Sequence, residues 1–217
     1  MGRAGPKIRD HPLATAGNRP AVLNKIWSLR PVNMRSIRFG QFNLERILRT
    51  FLPTTFPENF ADLHIPLKVV TTDYYEQAEV VIEKGELFPV LAASAAIPAV
   101  FMPVKLGERV MIDGGIMNPV PYEHLAGLAD IIIGIDVVGG PEGNGRHIPN
   151  RIESLVGAGQ LTMQSNIALK LRLQAPQIFL RPAVGRTGVL DFLKAREILA
   201  MSAGVKDELK FALDRVI

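Results

Sequence analysis

The run IIIGIDVV at residues 131–138 constrains this chain more than any other stretch. It is β-branched almost throughout and carries a single acid, Asp136. A transmembrane helix needs about 20 apolar residues, so a run this short cannot be one. Its composition predicts a strand buried on both faces, as in a sheet sandwiched between helices. IPLKVVTTD (65–73) predicts a second buried strand, AEVVIEKGE (78–86) a third that runs into a glycine turn, ERVMIDGG (108–115) a fourth and PQIFLRPAV (176–184) a fifth.

Helical segments alternate with these strands. QFNLERILRTFL (41–52) sets Phe42, Leu44, Ile47, Leu48, Phe51 and Leu52 on one helical face and stops at Pro53. LFPVLAASAAIP (87–98) predicts a tightly packed helix of small apolar residues. PYEHLAGLAD (121–130) predicts a short helix, 151–173 a long one, and 189–216 mostly helix, with a loop over 139–150. Alternation of this kind predicts one α/β domain. Residues 1–21, rich in Gly, Pro and Arg and without periodicity, read as a disordered basic leader, which leaves 22–217 as the folded domain.

Charge is distributed unevenly. Residues 1–50 hold ten Lys or Arg against two acids, while the whole chain is only +4. A front half of that sign would be drawn to an anionic membrane surface. It lacks interleaved aromatics and any helix-turn-helix or zinc pattern, so nucleic acid is not an expected partner. With no cysteine there is no disulfide, thiolate site or cysteine nucleophile. His11, His64, His124 and His147 are scattered without ligand spacing, and neither a metal nor a cofactor is expected. The N-terminus lacks the apolar core of a secretory signal, and a cytoplasmic protein, peripheral to a membrane at most, is the expectation.

Chemistry concentrates in MIDGGIMNPVP (111–121). Asp113 ends an apolar strand, the place where open α/β sheets set their sites. Gly114 and Gly115 let the backbone turn sharply and let another group approach. Taken locally, Asp113 is either a catalytic carboxylate or the opening residue of an Asx-type turn.

AASAAIPAVFMPV (92–104) and DGGIMNPVP (113–121), in order with the strands on either side, resemble the patatin-like phospholipases across residues 42–215, most strongly over 65–138. That resemblance implies a three-layer α/β/α fold with a mostly parallel sheet. It also implies hydrolysis of lipid acyl esters, phospholipids among them, by a Ser–Asp dyad. Asp113 would be the base and Gly114 and Gly115 would shape its turn. The family's Gly-x-Ser-x-Gly elbow and the glycine-rich loop before it occur nowhere in the 217 residues. The expectation is therefore a domain truncated at its N-terminus, a fragment without its nucleophile. A sheet that lacks a central strand would associate through its exposed edge. The alternative is a catalytically inactive patatin-like scaffold that binds lipid or a protein partner.

Other candidates are weaker. Ser202 lies in AMSAG within a predicted helix, Ser165 in the long helix, and Ser94 in the packed AASAAIP segment beside the expected site. Asp136 and Asp73 read as polar strand ends. VVGGPEGNG (137–145) fits neither phosphate-binding glycine pattern. Met163, Leu169, Leu171 and Leu173 could face an acyl chain but fit ordinary helix packing.

Overall fold

The computed structural model describes residues 44–141, 145–184 and 194–217. The leader, the first residues of the predicted 41–52 helix, and parts of the 139–150 loop and of the 189–216 segment lie outside the described residues.

In chain order the elements are α1 (Leu44–Phe51), β1 (Val69–Asp73), β2 (Ala78–Ile82), α2 (Leu87–Ser94), β3 (Val104–Leu106), β4 (Arg109–Asp113), β5 (Ile133–Ile135), α3 (Arg151–Leu173), β6 (Ile178–Leu180), α4 (Ala195–Met201) and α5 (Val205–Leu213). The architecture is mixed α/β. Among the described residues four strands form one sheet in the order β2-β1-β4-β3, and β5 and β6 form a separate pair.

The expected mostly parallel sheet is borne out only in part. Every pairing in the four-stranded sheet is antiparallel, and only β5 and β6 run parallel. Connection length explains the difference. Residues 74–77 join β1 to β2 and residues 107–108 join β3 to β4, and links so short can only make hairpins. The β5–β6 connection carries α3, which is long enough for a parallel crossover. β3 was not foreseen, because VKL is only three residues long and follows Pro103.

β1 meets the sequence expectation of a strand buried throughout. IIIGIDVV does not. Its strand is only Ile133–Ile135, and Ile135 and Val137 are 47% and 64% exposed. Among the described residues β5 pairs on one edge alone, so an apolar strand is left open on the other. The predicted 121–130 helix shrinks to a single 3-10 turn, Tyr122–Leu125. Pro121 precedes that turn and Gly127 follows it at φ 76, a backbone angle that ends a helix.

Among the described residues three apolar clusters hold the elements together. Leu44 of α1 packs with Ala92, Val100 and Phe101. Phe60, Val69, Leu87 and Val90 fill the space between α2 and β1. Val120, Tyr122 and Ile167 join the segment after β4 to α3. The start of α3 is fixed by a capping box: Asn150 accepts from the backbone of Ile152 and Glu153, and Glu153 accepts from the backbone N–H of Asn150.

Asp136, fully buried at the end of β5, ties three elements. One carboxylate oxygen accepts from the Val138 backbone N–H at 2.9 Å. The other meets Arg181 Nε at 2.8 Å, just past β6. Gln164 of α3 donates to the Val138 carbonyl at 2.7 Å and lies 3.5 Å from the Asp136 carboxylate. Removing a buried acceptor leaves its donors unmet, at a cost of about 1–3 kcal/mol. Urea unfolding of Asp136→Ala is expected to show a loss of that size. Asp136→Asn, which keeps an acceptor for Val138, is expected to lose less.

Candidate functional site

β4 delivers Asp113 to one wall of a cleft of about 760 Å³. Most of its lining is apolar, from β1, α2, the 3-10 turn after Asp113, the segment after β5, and α3. Asp113 is held by its backbone on both sides. Its N–H donates to the Ala96 carbonyl at 3.1 Å, and its own carbonyl accepts from the Thr72 hydroxyl at 2.9 Å. The Ala96 carbonyl comes from the turn after α2, where Ala99 sits at φ 68, a left-handed angle that a non-glycine residue adopts only under strain.

The Asx-type turn is real. Asp113 Oδ1 accepts from the Gly115 N–H at 2.6 Å and caps the 3-10 turn Gly114–Ile116. Among the described residues Oδ2 receives no hydrogen bond. One oxygen is thus used for structure and one is left in the cleft, so the turn reading and the catalytic reading are compatible. Burial raises the Asp113 pKa above the ordinary aspartate range, and the Gly115 hydrogen bond offsets this only in part.

Gly114 is required by contact with backbone, and Gly115 is closely packed by side chains. A Cβ on Gly114 would lie 2.1 Å from the Val70 carbonyl oxygen, a backbone atom of β1. A Cβ on Gly115 would lie 2.9 Å from Asp113 Oδ1 and 3.4 Å from the sulfur of Met163. Met163, read from the sequence as a position that could pack or face a ligand, therefore stands over the Asp113 turn. Leu169 and Leu173 are exposed, and Leu171 packs in the third cluster.

The serines fall apart. Ser94 lines the cleft, but its hydroxyl donates to the Val70 carbonyl at 2.7 Å. Ser202, expected in a helix interior, instead caps the end of α4, with its hydroxyl on the Leu199 carbonyl at 3.2 Å. Ser165 is exposed on α3. Asp73 accepts from the Tyr75 and Glu76 N–H groups and lies 3.4 Å from Arg109 Nε, a strand-end cap.

Sequence reasoning missed a polar network beside the cleft. Asn118, buried at the base of the segment after Asp113, donates to Glu79 of β2 and to Glu123 at 3.0 and 2.6 Å. Lys170 of α3 donates to the Asn118 side chain and to the Val120 carbonyl, meets Glu123 at 2.7 Å, and lies 4.7 Å from the centre of the Tyr122 ring. His124 contacts Glu79. Burial opposes ionisation of Glu123, but hydrogen bonds from Lys170 and Asn118 hold its pKa below the usual range. Glu79, Glu123 and His124 bring their ligand atoms within 4.8 Å of one another, a grouping no local spacing reveals. The carboxylates of Glu79 and Glu123 already serve Asn118, His124 and Lys170, and the Lys170 ammonium beside Glu123 supplies positive charge to the group.

The sequence matches the patatin-like phospholipases over residues 6–126, more than half of the chain. This chain belongs to the patatin-like phospholipase family. The match takes in Asp113, Gly114 and Gly115, begins within the stretch read as a leader, and ends before α3. Two relatives are uncharacterized NTE family proteins, one of Mycobacterium bovis and one of Mycobacterium tuberculosis. Each is 33% identical over 108 residues, which is 49% of this chain and 30% of the relative. The chain thus aligns with about a third of the length of these relatives. No helix among the described residues is long and apolar enough to cross a membrane.

Two outcomes follow from the turn. Gly114→Ala must displace β1 or the turn, an overpacking cost of about 1–3 kcal/mol or more, readable as a lower urea midpoint. Asp113→Asn is expected to raise the melting temperature at pH 7. A raised folded-state pKa means that the native state holds its proton to higher pH than the unfolded chain, so stability falls as pH rises from the ordinary aspartate value, about 3.9, through the raised one. Asparagine keeps an acceptor for Gly115 without the charge. Its advantage should fade as the pH drops below that window.

Proposed function

We propose that this chain supplies the base and the acyl-binding cleft of a patatin-like lipid acyl hydrolase. Asp113 Oδ2 would take the proton of a serine hydroxyl as that serine attacks the ester carbonyl. A serine alcohol is a weak nucleophile and needs such a base. The observation that carries this reading is a half-buried carboxylate with one uncommitted oxygen on the wall of an apolar cleft. Burial that raises its pKa strengthens it as a proton acceptor. Membership of the family supports the same chemistry, with an acyl ester or phospholipid as substrate.

In this reading the serine of the dyad would be supplied from outside these 217 residues: they contain no Gly-x-Ser-x-Gly, and the Ser94 hydroxyl, which lines the cleft, is committed to Val70. The test uses fluorophosphonate labelling and ester turnover. The chain alone is expected to take up no label. Co-expressed with the Gly-x-Ser-x-Gly-bearing part of a family member, it should hydrolyse a p-nitrophenyl acyl ester. Asp113→Ala should then lower the rate by about 10²-fold or more, the usual contribution of a positioned base. An adduct on the chain alone would move the nucleophile to a serine within it. Equal turnover with Asp113→Ala would remove Asp113 from the mechanism.

A further inference from the structure

α3 is 23 residues long and contains two glycines, Gly157 and Gly159, in its first half. Glycine weakens a helix interior relative to alanine, so each calls for a reason. Gly157 has one in packing: it is buried, and a Cβ there would lie 3.1 Å from Pro141 Cγ. Gly159 has none. Among the described residues a Cβ there would meet no atom within 4 Å, and the residue faces the cleft that contains Asp113.

Its neighbours on the same helical face give that open space a direction. Met163, one turn on, stands against Gly115 and so beside Asp113. Leu155 and Val156, one turn back, also line the cleft. At 1.5 Å per residue, Gly159 lies about 6 Å along the helix from Met163, and Leu155 about 6 Å beyond that. The cleft therefore follows α3 away from the carboxylate, with large apolar side chains at both ends of this stretch and Ala158, Gly159, Gln160 and Thr162 lining it between them.

We infer that Gly159 keeps this channel open, and that the side chain at position 159 sets how long a straight acyl chain the cleft accepts. The inference rests on the reading of the cleft as an acyl site. A short chain with its carbonyl at Asp113 ends before position 159. A long one must pass under it, and any branched side chain there projects into its path. The cleft thus owes its length to a residue that weakens the helix carrying it.

Calorimetric titration of hexanoate, decanoate and palmitate tests this with the 217-residue chain and with Gly159→Ala and Gly159→Leu. The unsubstituted chain should bind palmitate most tightly. Gly159→Leu should lose about tenfold or more in palmitate affinity while hexanoate changes less than about twofold. Gly159→Ala should lie between them and melt at a higher temperature than the unsubstituted chain. If Gly159→Leu fails to fold, Gly159→Ala decides the matter, since no atom of the described residues stands within 4 Å of its methyl group. A chain-length profile unchanged by these substitutions would overturn the inference and leave the acyl cleft standing. Failure of the unsubstituted chain to bind any of the three would overturn the acyl cleft itself, and the role of Gly159 with it.

Discussion

The site depends on a backbone contact. Gly114 lies so close to the Val70 carbonyl that no side chain fits between them. This lets the turn after β4 seat directly on β1, with the Thr72 hydroxyl on the Asp113 carbonyl and the Ala96 carbonyl on its N–H. A carboxylate held through its own backbone has little freedom to turn away, so its position is decided before any ligand arrives. In the proposed dyad such preorganisation would favour a modest base, because no reorganisation is needed at the moment of reaction.

Around this turn two polar assemblies fix the elements that shape the cleft. Asn118, Glu79, Glu123, His124 and Lys170 tie the segment after Asp113 to β2 on one side and to α3 on the other. Asp136, Arg181 and Gln164 tie α3 to the ends of β5 and β6. α3 is thereby pinned at Gln164 and at Lys170, and Leu155, Gly159 and Met163 are presented to the cleft. An apolar cleft against a charged network is stable only when that network is fully paired, since an unpaired buried polar group costs more than its bonds return.

Much of this was legible locally. The alternation of apolar strands with helices gave the α/β class, and α3 runs over the residues its pattern predicts. Asp113-Gly114-Gly115 announced a strand-end acid and a tight turn, both of which the fold contains. The strand direction was not legible. An apolar run looks alike in parallel and antiparallel sheets, and the lengths of residues 74–77 and 107–108 were the better guide. The network was missed because its members stand far apart in the chain: Glu79 and His124 are separated by 45 residues, and Lys170 and Asn118 by 52.

Sequence alone marked the residues on which the proposed chemistry rests, since the Asp113 motif is contiguous and needs only its own backbone to form. It also determined that no Gly-x-Ser-x-Gly accompanies that motif in these 217 residues. Tertiary structure decided what those residues face. It left one oxygen of Asp113 uncommitted and placed Met163 over the turn. It turned Gly159 from a helix weakness into open space and left one side of IIIGIDVV uncovered among the described residues. The physical reason is the same in each case. A turn is fixed by interactions within a few residues, whereas a cavity is defined by atoms that only the packing of distant segments brings together.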